Sequence, residues 1–157
     1  MTGILTRLAA AKGSLRIGSV SLPWSFVRYV CVGVINTAVG LSVIYLGIYA
    51  LALDDVPANI GGYLVGTLCS FMLNRSWTFS SRGAPAAQLA KFLTVMLGAY
   101  LLQIASVMIM IKVLGYNRYL AHALGTVPYT LAGYLGSRYF AFRDAAAIPR
   151  PEKPGSP

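Results

Sequence analysis

The chain has 157 residues, of which 57% are apolar and 11% charged, and its mean hydropathy is +0.66. Soluble domains carry about 25% charged residues, so this composition excludes a soluble globular enzyme and a disordered chain and leaves a small integral membrane protein. The net charge of +9, from 13 basic and 4 acidic residues, points to nucleic acid or an anionic membrane surface. The positions of the charges choose between them.

In chain order, residues 1–23 come first. Arg7, Lys12 and Arg16 interrupt every apolar run there, so no signal-peptide core forms. The segment reads as a basic, partly amphipathic cytoplasmic arm. Uncharged runs follow at about 29–53, 56–74, 92–111 and 119–137. A spanning helix needs about 20 apolar residues at 1.5 Å each, and each run is long enough. In hydrocarbon a backbone must satisfy its own hydrogen bonds, which makes each run a helix. The expected fold is therefore an all-α membrane protein, with four transmembrane helices in a domain spanning 24–143. Residues 144–157 are Pro-rich and read as a disordered cytoplasmic tail.

Four spans put both termini on one side. Arg7, Lys12, Arg16, Arg28, Arg75, Arg82, Lys91, Arg138, Arg143, Arg150 and Lys153 share that side, against Lys112 and Arg118 on the other. The positive-inside rule makes the richer side cytoplasmic. Topology and anionic lipid account for the charge, and no nucleic-acid partner is expected. Cys31 and Cys69 fall inside spans one and two with no metal-spaced partners, and read as packing residues. No metal site or cofactor is expected.

Sliding the chain by 63 aligns Arg28-Tyr29 with Lys91-Phe92, Ala58 with Ala121, Gly62 with Gly125 and Thr67-Leu68 with Thr130-Leu131. Arg75, Trp77 and Phe79 fall on Arg138, Phe140 and Phe142. Each half holds two spans, so both enter the membrane the same way. The pattern implies a parallel two-helix repeat about an axis along the membrane normal.

The segment Phe71-Met72-Leu73-Asn74-Arg75-Ser76-Trp77-Thr78-Phe79 resembles the ending of span two in the GtrA-like membrane proteins. Gly33 with Ile35-Asn36-Thr37, and Ala58-Asn59, extend the resemblance, which covers about residues 26–143. Ser70 and Gly133 stand where that family often has Asn. The resemblance implies translocation of a polyprenyl-phosphate-linked monosaccharide across the bacterial inner membrane, for glycosylation of cell-surface polysaccharide. It also implies work alongside membrane glycosyltransferases.

Such a substrate needs a cation for its phosphate and a polar path for its headgroup. Arg75 and Arg138 suit the phosphate, since guanidinium binds it bidentately; Asn74, Lys91 and Arg28 join them at the same membrane surface. Either arginine alone would equally serve as a snorkelling boundary residue. Asn36, Thr37, Gln103, Ser70 and Thr130 are the candidate headgroup path, with Asn59 and His122 at its outer end. Gly33, Asn36, Thr37 and Gly40 share one helical face, which fits helix packing as well as transport. Gly62-x-x-x-Gly66 and Ala132-x-x-x-Gly136 read as close helix crossings. No acidic residue, phosphate-binding loop or nucleophile–base set lies in the spans, so the chain reads as a non-enzyme. A scaffold that recruits a glycosyltransferase and a small multidrug-type exporter are the alternative functions, and a homodimer fits the small size.

Overall fold

The computed structural model describes residues 14–17 and 20–143; the Pro-rich tail and most of the N-terminal arm lie outside the described residues. Strands β1 (Ser14–Ile17) and β2 (Val20–Pro23) pair antiparallel, with Leu15 opposite Leu22 and Ile17 opposite Val20. This ribbon is an addition to the all-α expectation. Its strands alternate apolar and polar residues with period two.

Four long helices follow. They are α1 (Trp24–Leu51), α2 (Asp55–Leu73), α3 (Pro85–Lys112) and α4 (Arg118–Gly136). A π turn continues α2 over Asn74–Thr78, and a second continues α4 over Ser137–Ala141. Three of the four, α1, α2 with its π turn, and α3, are long and apolar enough to cross a membrane. Helix α4 has the 19-residue length of α2, but His122, Thr126, Thr130 and three tyrosines make it more polar.

Two helices begin five or more residues before the uncharged runs do. Helix α1 starts at Trp24 rather than 29, and α3 at Pro85 rather than 92. A run of uncharged residues stops at the first charge, whereas a helix does not. Arg28 and Lys91 lie in the second turns of these helices and lean over aromatic rings. Pro85 at the first position of α3 suits a helix start, where its missing N–H costs nothing. Helix α4 is capped by Asn117, whose side chain accepts from Leu120 N at 2.8 Å. Ala52 ends α1 in the left-handed conformation, φ 49°, and Leu53 N returns to Gly47 O at 3.0 Å.

The chain divides into two units, Met1–Phe79 and Ser80–Pro157. In the first, α1 and α2 form an antiparallel hairpin. Gly62 packs directly on α1, where a Cβ would overlap the Ile44 side chain and lie 2.7 Å from Gly40 O. Tyr29 and Phe79 close the open end, with ring centroids 6.4 Å apart and planes at 53°. In the second unit α3 and α4 form another antiparallel hairpin. A Cβ on Gly125 would lie 2.5 Å from Val107 Cγ2, and one on Gly136 2.6 Å from Val95 Cγ1. Phe92 and Phe142 sit 5.9 Å apart at 44°. The glycine motifs therefore make close crossings, as their spacing implied.

Large apolar side chains such as Val34, Leu46, Leu64 and Leu97 are at least 60% exposed. A water-soluble monomer does not carry so continuous an apolar exterior. Lipid is the solvent that fits it.

Candidate functional site

The π turns build one end of each hairpin. Each is defined by a hydrogen bond five residues long, Phe79 N to Asn74 O at 2.9 Å and Phe142 N to Ser137 O at 2.8 Å. The wider turn adds one residue to the helix, and such insertions recur at functional sites. In the first unit, the Arg28 guanidinium donates to Trp77 O at 3.1 Å and lies 5.6 Å from the Trp77 ring centroid. Beside it is an open groove of about 550 Å³ lined by Trp24, Ser25, Arg28, Trp77 and Thr78, among others. Thr78 is 6% exposed, and its hydroxyl has no hydrogen-bond partner. In the second unit Lys91 Nζ lies 5.9 Å from the Phe140 ring centroid. Cation–π contacts of this kind hold a charge at a membrane surface without neutralising it.

The motif arginines are half-buried. Arg138 donates to Tyr134 Oη at 2.7 Å and lies 5.5 Å from the Tyr139 ring centroid. Phe71 occupies the place of Tyr134 in the first unit and has no hydroxyl to offer Arg75. The residues before the arginines, Asn74 and Ser137, are 1% and 0% exposed, and each keeps an oxygen without a partner. Asn74 Nδ2 reaches Ser70 Oγ only at 3.3 Å. No acidic residue occurs between Asp55 and Asp144 in the sequence.

Within the first unit the structure therefore brings together Arg28, Asn74 and Ser70 near the π turn. The polar residues farther along separate into two kinds. Several are satisfied by their own helix: Thr37 Oγ1 donates to Gly33 O at 3.1 Å, Thr130 Oγ1 to Thr126 O at 2.8 Å and Asn59 Nδ2 to Asp55 O at 2.8 Å. His122 is exposed. Asn36 is different: its Oδ1 is buried without a partner. With Thr37, Gly40, Gly62, Tyr63, Gly66 and Thr67 it lines a cavity of about 260 Å³. Gln103 of α3 packs beside Gly125. Among the described residues no three His, Cys, Asp or Glu gather as a metal site would need. Thr78 was not singled out from the sequence, because nothing in its spacing distinguishes a buried threonine from an exposed one.

Two apolar helical hairpins, each ending in a π turn that carries an arginine, define a multi-pass helical membrane protein. The family model described as "GtrA/DPMS, transmembrane domain" matches residues 28–142, and the chain belongs to this family. The chain is also similar to an uncharacterized membrane protein, YngA, of Bacillus subtilis (strain 168). The two are 26% identical over 119 residues, which cover 75% of this chain and 79% of that protein.

Proposed function

We propose that the protein carries a polyprenyl-phosphate-linked monosaccharide from the cytoplasmic to the outer leaflet of the bacterial inner membrane. It is a carrier, not an enzyme. In each hairpin the basic end receives the phosphodiester, through Arg28 and Arg75 with Asn74 in the first and through Lys91 and Arg138 in the second, and the sugar is used outside by membrane glycosyltransferases. Both termini are cytoplasmic, anionic lipid surrounds the basic end, and the two hairpins are a parallel duplication. The coincidence of contacts 63 residues apart supports the duplication: Arg28 over Trp77 with Lys91 over Phe140, Tyr29 on Phe79 with Phe92 on Phe142, and the two π turns.

One observation carries the functional reading. At the π-turn end of each hairpin a cation lies over an aromatic ring of the turn, and the same turn carries a half-buried arginine. That is the chemistry of a phosphate surface. Asp55, the first residue of α2, is the one carboxylate in the four helices, and its place at a helix end points away from a proton relay and toward a drive supplied by the substrate's own gradient.

The test places purified protein in liposomes with a labelled polyprenyl-phosphate monosaccharide and follows the label in each leaflet. Wild type is expected to equilibrate it quickly, and Arg75→Ala with Arg138→Ala to lose at least tenfold in rate while remaining folded. Wild-type equilibration no faster than in empty liposomes, over several sugars, refutes translocation and favours a scaffold that recruits a glycosyltransferase.

A further inference from the structure

The two hairpins share contacts but not their interior. At the place of Gly66 in α2, α4 has Tyr129; at the place of Gly40 in α1, α3 has Gln103; and at the place of Asn36, α3 has Ala99. In the second unit Tyr129 is half-buried and its hydroxyl reaches Met96 Sδ at 3.8 Å, while Gln103 packs on Gly125. These side chains occupy the crossing. In the first unit two glycines leave it open, and the cavity of about 260 Å³ results. Asn36 stands in its wall. Its Oδ1 is turned onto Gly66, where a Cβ would come within 2.7 Å, and has no N–H or O–H partner. An amide oxygen left unpaired in an apolar setting is costly, and a turn about the side chain's terminal torsion, which is broad, brings either end of the amide toward the opening.

Resting on the carrier reading above, we infer that this cavity in the first hairpin is the sugar subsite, with Asn36 as its recognition residue and the second hairpin serving as scaffold. The lining chemistry selects the ligand. No charged residue lines the cavity, so neither an ion nor the phosphate is favoured. An amide and the hydroxyls of Tyr63 and Thr67 both donate and accept, as the hydroxyls of a neutral polyol do, and Thr37, whose proton goes to Gly33 O, can still accept. Tyr63, 74% exposed at the wall, offers a ring face to a sugar. The volume lies just under the usual ligand range of about 300–1,000 Å³, which suits one ring and not an oligosaccharide.

The second hairpin supplies the variant that tests this. Asn36→Ala with Gly66→Tyr copies the Ala99–Tyr129 pairing, removes the clash that Tyr would make with Asn36, and plugs the cavity. The full chain in detergent is titrated with a short polyprenyl-phosphate monosaccharide and with the same polyprenyl phosphate lacking sugar. Binding is read from Trp24 and Trp77 fluorescence. Wild type is expected to prefer the sugar-bearing lipid by about tenfold, the worth of one or two hydrogen bonds. Asn36→Ala and the double variant lose that preference and keep their affinity for the sugarless lipid within about twofold. Thr67→Val, near-isosteric, lowers the preference about threefold and serves if the double variant does not fold. Equal affinity of wild type for both lipids overturns the assignment. So does a preference that survives Asn36→Ala, or an equal weakening of both lipids, which marks Asn36 as a helix-packing residue. The readout is binding at rest. An Asn36-dependent sugar preference without leaflet exchange in liposomes removes the carrier reading and leaves the subsite standing.

Discussion

Substituting Gly62 by alanine tests the crossing of α1 and α2 at the point where it is tightest. The new Cβ meets two different obstacles: the Ile44 side chain, which can rotate, and the main-chain oxygen of Gly40 at 2.7 Å, which is tied into α1. To reach an ordinary contact of 3.4 Å or more, the helices must separate over the neighbouring turns. Overpacking of this kind costs about 1–3 kcal/mol, against a gain of up to about 1 kcal/mol from the better helix former. A net loss of about 1–2 kcal/mol is expected. Gly61, the residue before it, faces only Val43 Cγ1 at 4.0 Å, so Gly61→Ala keeps the propensity gain and is neutral or stabilising. Gly125→Ala meets a side chain only, Val107 Cγ2 at 2.5 Å, and Val107→Ala rescues it, whereas Ile44→Ala does not rescue Gly62→Ala. Unfolding by SDS in mixed micelles, followed by far-ultraviolet circular dichroism, measures all of these. If Gly62→Ala unfolds at the same SDS fraction as Gly61→Ala, or is restored by Ile44→Ala, the backbone contact does not limit the crossing.

Three further outcomes are expected. Tyr134→Phe removes the acceptor of the Arg138 hydrogen bond while copying the packing of Phe71, and should lower stability by about 1 kcal/mol in the same SDS titration. Asn74→Ser copies Ser137 and should change stability by less than about 1 kcal/mol. The reverse, Ser137→Asn, adds atoms where the side chain is fully buried and should cost about 1–3 kcal/mol. In a background lacking Cys31 and Cys69, cysteine at Ser80 should label from the cytoplasmic side and cysteine at Tyr116 from the outer side; the same side for both would remove the topology.

The helices were legible because hydrocarbon permits few structures. Uncharged runs of about 20 residues leave little other choice, and α2 and α4 lie within one or two residues of the runs that announced them. Helix starts were less legible. Arg28 and Lys91 ended the runs but not the helices, since a cation in a second turn can lie over Trp77 or Phe140 from another element, a contact no linear pattern displays. The ribbon went unread because its apolar residues are few and flanked by Arg16 and serines. At the site, the basic residues could be chosen from their motif and offset. The cavity could not, because glycines that permit packing and glycines that leave space read identically. Only the Tyr129 and Gln103 side chains, seen in place in α4 and α3, show what Gly66 and Gly40 omit.

The π turns give the spacing of the motif a physical meaning. Asn74 and Phe79 stand five apart because one's carbonyl accepts the other's N–H across the widened turn, and Ser137 and Phe142 repeat that distance. Deleting one residue between either pair would restore an ordinary helix, yet it would swing the aromatic ring about 100° around the axis, away from Tyr29 or Phe92. The interval is thus a measured length, as unforgiving of an added or lost residue as a strand register. The connections at 52–54 and 113–117 have no such ruler, and length variation among relatives should collect there.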